Sequence, residues 1–390
     1  MDRQSRIRAE PWSSNTPRVV IVGGGVMGAA VACFLARDHG IHATVLERDP
    51  TYARASSALS ASSIRQQFSQ AVNIALSRAS LAFYRRIGDE LAVGDERPDI
   101  GLVEPGYLYL AGAQAAPALR ELHVLQRAEG VDVALLDAAA LAQRWPWLAT
   151  QDLALGSWGV SGEGWYDGWS VLQAFRRKAI QHGARFDQAE AQAVEPHRVR
   201  CVEGRAIDAD VVVLAAGAWS GRLGVPLPVR ASKRDVFVFE SPAQLPGCPL
   251  VIDTSGVWFR PEGRGFICGA APREDCDDAP LDEIDHASFN DLIWPALAAR
   301  VPAFEALRVS GAWAGYYEMN SFDHNGLAGE LAPGLWLACG FSGHGMQQAP
   351  AVGQAIAAQI AGGTPWVDIA ALSPTRLARN APLLERNVIG

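Results

Sequence analysis

Arg18 is followed by Val19-Val-Ile-Val22, a β-branched run with no polar position, as a buried parallel strand requires. Gly23-Gly24-Gly25-Val26-Met27-Gly28 comes next. Small and apolar residues from Ala29 to about Asp38 then predict a helix, followed by Gly40 and a second strand from Ala43 to Leu46, ending at Glu47. Val171, Leu172, Phe175, Ala179 and Ile180 recur at helical spacing and predict an amphipathic helix over 170–182. A second buried run, Asp210-Val-Val-Val-Leu-Ala-Ala-Gly217-Ala-Trp219, ends in a small-residue turn. A third, Leu335-Trp-Leu-Ala-Cys339, leads through Gly340-Phe-Ser-Gly343-His344-Gly345 to a helix expected from about Ala351 to Ile360. Asp235–Glu240 and Gly256–Arg260 read as strands of a separate sheet, with Pro226 and Pro228 at the crossing between the two regions.

The first of these units has the order strand, G-x-G-x-x-G, helix, strand, acid. In a dinucleotide site Gly23 permits the tight turn, Gly25 lets the backbone approach a pyrophosphate, and Gly28 lets the helix lie close on the strand. The helix N-terminus then faces the phosphates. Glu47, about twenty residues after Gly28, stands where a carboxylate accepts ribose hydroxyls and would repel a 2′-phosphate. This unit alone leaves FAD and NAD open. The turn at Ala216-Gly217-Ala-Trp219 and the loop at 340–350 return to the same kind of site from distant segments. That fits an extended FAD touched by several segments, whereas an NAD-dependent dehydrogenase would make the later loops coincidental.

Composition narrows the function classes. The 390 residues are 49% hydrophobic and 19% charged, which excludes general disorder and suggests two domains. Thirty-four basic against 42 acidic residues give a net charge of −8, so no nucleic-acid partner is expected. The six cysteines form no C-x-x-C pair, which argues against a metal site and for a reducing, cytoplasmic location. No apolar run is long enough to span a membrane, and residues 1–17 read as a flexible tail.

These segments together resemble the FAD-dependent amine and amino-acid oxidoreductases of the D-amino-acid oxidase, glycine oxidase and sarcosine oxidase family. The resemblance is sharpest at Ala312-Trp-Ala-Gly315-Tyr316-Tyr317 through Gly326 and at 340–350, with further support from Asp253–Arg260 and Arg300–Glu305. It implies an α/β fold with two parts. A discontinuous Rossmann-like FAD domain would comprise 18–85, 150–225 and 316–390; a mixed-sheet α+β substrate domain would comprise 86–149 and 226–315. It also implies FAD contacts from Arg48, Ser57, Ser62, Ser63, Val194, Ala216, Gly217, Trp219, Gly340, Gly343, His344, Gly345 and Met346, beside Gly23, Gly25, Val26, Met27, Gly28 and Glu47.

Departures from the family pattern guide the chemistry. The cysteine that holds FAD covalently in some members corresponds to Gly315, so non-covalent FAD is expected. A carboxylate-binding Arg of some members corresponds to Tyr317, a Lys of the last loop to Gln347, and the oxygen-activating Lys to Ile267. The remaining cations near the site are Arg65, Lys233 and Arg234, and the candidate catalytic set is His344, Arg65, Tyr317, Gln347, Lys233 and Arg234. Asp323 and His324 are expected at the domain interface. The implied reaction is oxidation of a C–N bond of an amino acid or secondary amine by hydride transfer to flavin N5, giving an imine that hydrolyses. Electrons would pass to a quinone, an electron-transfer protein or O2, with a dehydrogenase expected because Ile267 offers no cation to developing superoxide. The rival expectation is a flavin-bearing assembly or interaction protein for a respiratory complex, with little turnover. Neither expectation fixes the oligomeric state.

Overall fold

The computed structural model describes residues 16–272 and 276–386. The tail expected at 1–17 therefore lies, apart from Thr16 and Pro17, outside the described residues. Val19–Val22 forms the middle of a six-stranded sheet in the order Leu327–Ala332, Leu335–Cys339, Val211–Leu214, Val19–Val22, Thr44–Glu47, Arg185–Gln188. All neighbours are parallel except the Leu327–Ala332 edge strand. Parallel strands need crossover connections, and the helices Val26–His39 and Gly168–Gln181 supply two of them, while Gly345–Ile360 follows the last strand and packs on Val26–His39. Phe34 and Phe175 of the two crossover helices pack with Phe83 of the helix Ala71–Tyr84, ring centroids 5.6–5.9 Å apart.

Two helix boundaries differ from the sequence pattern. The first helix begins at Val26, so its opening turn is the glycine motif itself. The last begins at Gly345, not near Ala351, and carries Pro350 inside. Pro350 has no N–H to offer the Met346 carbonyl, and the Tyr84 hydroxyl donates to that carbonyl instead at 2.6 Å.

A second, eight-stranded sheet has the order Arg308–Asn320, Val229–Glu240, Gly265–Gly269, Trp258–Glu262, Leu250–Ile252, Tyr107–Ala111, Leu155–Gly159, Val133–Leu136. It is antiparallel apart from the pairing of Leu250–Ile252 with Tyr107–Ala111. The fold is thus α/β, with a parallel cofactor-type sheet and a large mixed sheet. The mixed sheet includes Leu155–Gly159 and the whole of Arg308–Asn320. The domain boundary expected at 150 precedes one of its strands, and that expected at 316 cuts through another. Asp323 is buried, pairing with Arg376 at 2.7 Å and accepting the Asn320 side-chain N–H at 2.9 Å, and so ties the end of Arg308–Asn320 to the C-terminal segment.

Candidate functional site

The glycine turn is shaped by steric exclusion. Gly23 has φ 101°, and a Cβ there would lie 2.3 Å from the Ala215 carbonyl oxygen; at Gly28 it would lie 1.9 Å from the Gly23 oxygen. Only glycine allows strand, turn and helix to close on one another in this way. Glu47 completes the turn, its Oε2 accepting the Gly24 N–H at 2.8 Å and its Oε1 the Asp49 N–H at 2.9 Å. The Val26 N–H donates to Ser57 Oγ at 3.0 Å.

From this turn a cavity of about 750 Å³ runs between the two sheets. Of the residues expected to contact a cofactor, Gly23, Gly25, Val26, Met27, Glu47 and Arg48 line its first part. Ser57, Ser62, Ser63, Ala216, Gly217 and Trp219 line the middle, and Gly343, Gly345 and Met346 the far wall. Four others do not reach the wall. Gly28 packs beneath Gly23, and Val194 is a core residue whose N–H donates to the Leu223 carbonyl. Gly340 donates its N–H to Glu318, and the ring of His344 points away into a buried cluster. Arg48 stacks on Trp219 at 3.9 Å, and Trp219 meets Tyr316 edge-on at 5.8 Å.

Residues 59–69 cross between the sheets as a strap held by side chains. The Leu59 carbonyl accepts Trp313 Nε1–H at 2.9 Å, and the Ala61 carbonyl accepts Arg260 Nη2 at 2.8 Å. The Arg65 N–H donates to Gln347 Oε1 at 2.8 Å, while Ser77 Oγ donates to the Arg65 carbonyl. Ser69 donates from its N–H and its hydroxyl to Glu385 Oε1 at 2.8 and 2.7 Å. Gln347 therefore positions the strap.

Two guanidinium groups act on Tyr317, Arg234 from the cavity wall and Arg65 from the strap, outside the residues that line the cavity. Arg234 lies over its ring, 4.9 Å from the centroid, and both Arg234 and Arg65 act electrostatically on its hydroxyl. Burial is the larger influence and holds the Tyr317 hydroxyl above the ordinary phenol range. Arg65 itself is buried, stacked 3.9 Å over Phe68, with Nη1 donating to the Gln67 carbonyl at 2.8 Å. His344 packs on the other side of this cluster, 5.4 Å edge-on to Phe68. Burial, aided by the Arg65 charge, pushes the imidazole down to about 3, so it is neutral at physiological pH. Both of its ring nitrogens are buried without a hydrogen-bond partner.

Lys233 departs from expectation. It neighbours Arg234 on Val229–Glu240, and successive strand residues point to opposite faces. Arg234 lines the cavity, whereas Lys233 turns to the other face, where Nζ donates to the Glu283 carbonyl and pairs with Asp235 at 3.5 Å. The two cations cannot serve one ligand. Ile267 is buried among Tyr107, Val236, Leu250 and Trp258, an apolar setting.

Sequence reasoning missed Glu318 and Glu163. Glu318 lines the cavity one residue after Tyr317, its Oε2 accepting the Gly340 N–H at 2.9 Å; burial raises it to about 7. Glu163 is fully buried against the strap and is likewise raised to about 7 by burial. The only sequence signal for either is an acid in an apolar strand and an acid between two glycines.

A sequence model described as FAD dependent oxidoreductase matches residues 18–359. The chain belongs to this family. It is 40% identical over 438 residues to FAD-dependent oxidoreductase domain-containing protein 1 of Xenopus laevis, covering 97% of this chain and 88% of that protein. Among solved structures, L-proline dehydrogenase from P. horikoshii shares the fold, with TM-score 0.81, 24% identity, and 94% and 99% of the two chains covered. Glycine oxidase from Geobacillus kaustophilus gives TM-score 0.79 and 25% identity over 93% and 99%. The protein is therefore a FAD-dependent oxidoreductase of the D-amino-acid oxidase type, and the residues fit the cofactor the family implies. The glycine turn forms a cradle that a Cβ would fill, Glu47 closes it, and the cavity continues to a second small-residue turn and a third glycine loop. Among the described residues no helix is long and apolar enough to cross a membrane, and no cluster of metal-ligating side chains occurs.

Proposed function

We propose that the protein oxidises the C–N bond of an amino acid or secondary amine that carries a carboxylate. The observation that carries this reading is the Arg234 guanidinium on the cavity wall over Tyr317, with the buried charge of Arg65 acting on the same hydroxyl from outside that wall. FAD, when bound, supplies the acceptor for a hydride from the carbon beside nitrogen, and the imine product hydrolyses in water. The chain's own residues bind and orient. Arg234 reaches the cavity from the strand paired with Arg308–Asn320, in register opposite Gly315, and so brings a cation close to Tyr317. Arg65, buried in the strap and not on the cavity wall, adds a second positive charge to the field around Tyr317. Tyr317 and Trp258 line the cavity with aromatic surface that excludes water from the reacting bond.

Non-covalent attachment of FAD belongs to the same reading. Among the described residues no cysteine lines the cavity, and all six cysteines are free thiols, which also supports a reducing, cytoplasmic setting. The apolar surroundings of Ile267 support a dehydrogenase that passes electrons to a quinone or an electron-transfer protein faster than to O2. Anaerobic reduction of the bound flavin by D- and L-amino acids, N-methylglycines and iminodiacids tests the reading, followed by reoxidation with a quinone against air. At least one carboxylate-bearing amine should bleach the flavin within seconds and lose that ability in Arg65→Ala. A flavin that no member reduces would favour an assembly or interaction protein of little turnover.

A further inference from the structure

The third glycine loop does not offer a cofactor what its sequence promises. A glycine loop that opens a helix presents backbone N–H groups to an electron-rich ligand, and this one runs from Gly340 into the helix Gly345–Ile360. Four of those N–H groups are already engaged. Glu318 Oε2 accepts the Gly340 N–H at 2.9 Å, the Glu318 carboxyl also accepts the Phe341 N–H, and the Glu318 main-chain carbonyl accepts the Ser342 N–H at 3.1 Å. The His344 N–H donates to the Phe341 carbonyl at 3.0 Å. One residue of the strand Arg308–Asn320 thus claims three successive donors of the loop.

The same carboxyl reaches the cavity. Glu318 lines it together with Gly217 and Gly345. A Cβ added at Gly345 would come within 3.0 Å of Glu318 Oε1, and one added at Gly217 would stand 3.9 Å from Oε2. The carboxyl therefore occupies the space between the second small-residue turn and the last helix. Glu318 makes no ion pair among the described residues, and burial and the two loop N–H groups are what act on its proton affinity. Arg234 and Arg65 act on Tyr317, the preceding residue, and neither enters the balance at Glu318.

FAD with its phosphates on the Gly23–Gly28 turn and a ribose at Glu47 extends its redox-active ring in the other direction, toward Gly217 and Gly345. Reduction adds two electrons and one proton to that ring and leaves it with one negative charge. Free N–H groups in the loop would stabilise that charge, whereas a carboxylate opposes it. We propose that Glu318 lowers the reduction potential of the bound flavin, by withdrawing the Gly340 and Phe341 N–H groups from the ring and setting a carboxylate in their place. The reduced cofactor is then a stronger electron donor to the next carrier. The inference needs only FAD in the cavity and does not depend on which amine the protein oxidises.

The test is the midpoint potential of the FAD-loaded protein at pH 9, where a carboxyl raised to about 7 is ionised. Dithionite supplies the electrons, and a reference dye of known potential reports the equilibrium. Glu318→Gln keeps an acceptor for both loop N–H groups and removes the charge. At equal dye potential its ratio of reduced to oxidised flavin should exceed that of wild type by about tenfold or more, which is about 30 mV for a two-electron couple. By the same thermodynamic cycle, Glu318→Gln should bind reduced FAD more tightly, relative to oxidised FAD, by the same factor. Glu318→Asp keeps the charge and should stay close to wild type in both measurements.

A Glu318→Gln potential equal to or below that of wild type overturns the proposal. Equal shifts in Glu318→Gln and Glu318→Asp overturn it too, because a rearranged loop and not a charge would then set the potential. If Glu318→Gln does not retain flavin, Glu318→Ala takes its place. That variant removes the charge and frees both N–H groups, so it should shift in the same direction by at least as much, and an unshifted potential there overturns the proposal as well.

Discussion

The Gly23–Gly28 turn and the 59–69 strap both border the cavity, yet they are held by different physics. The turn is fixed by what is missing: a Cβ at Gly23 or Gly28 would collide with backbone oxygens a few residues or one strand away. The strap is fixed by what is present: side chains from Trp313, Arg260, Gln347, Ser77, Glu163 and Glu385 satisfy its backbone groups one after another. A steric cradle is insensitive to pH and intolerant of bulk. A set of side-chain clamps tolerates small changes of volume but responds to charge. The glycine end of the cavity is thus built for permanence and the strap end for adjustment.

The largest effect that can break this contrast is at the turn. Gly28→Ala puts a methyl 1.9 Å from the Gly23 oxygen. With no flexible side chain to yield, the cost should be about 3 kcal/mol or more, enough to leave the purified protein colourless after desalting. Retained flavin absorbance would show that the turn can relax and is not a steric cradle. Next in size is Arg65→Ala, which removes a buried charge-assisted contact. It should raise KM for a carboxylate substrate by about 10- to 150-fold, from 1.5–3 kcal/mol, while flavin content stays near wild type. A fall in flavin content with KM unchanged would move Arg65 from the substrate end to the cofactor end.

A smaller effect separates the two regions by pH. Glu163 and Glu318 both sit at about 7, raised by burial from the ordinary value of 4.5. Between those values the folded chain binds more protons than the unfolded chain, so stability should fall as pH rises through that window and level off above it. The thermal midpoint should drop by a few degrees from pH 5 to pH 8, and Glu163→Gln should remove part of that drop. A midpoint rising over this range would mean that the carboxyls are stabilised as anions. The smallest effect belongs to Lys233→Ala, which should change KM by less than about twofold, because the side chain faces away from the cavity. Arg234→Ala should raise KM several-fold; equal effects of the two substitutions would contradict the alternation of the strand.

The amino-acid sequence determined the elements that depend on local sterics and periodicity. The glycine spacing fixed the turn, the β-branched runs fixed the parallel strands, and the loop at 340–345 announced a third approach to the cofactor. Each works through neighbours along the chain or through burial of a whole face, so its signature is written contiguously. Lys233 and Arg234 show the limit of such reading. Adjacent residues looked equivalent until the pairing of Val229–Glu240 with Arg308–Asn320 decided which face meets the cavity. The strap shows the limit more plainly. Arg65 reaches Gln347 across 282 positions, Gln66 reaches Glu163 across 97, and Ser69 reaches Glu385 across 316. Hydrogen bonds between such distant side chains leave no period or spacing in the sequence. Only the tertiary structure, by taking Glu163, Glu318 and His344 out of water, shifts their proton affinities, because burial is a property of the folded surroundings and not of the residue.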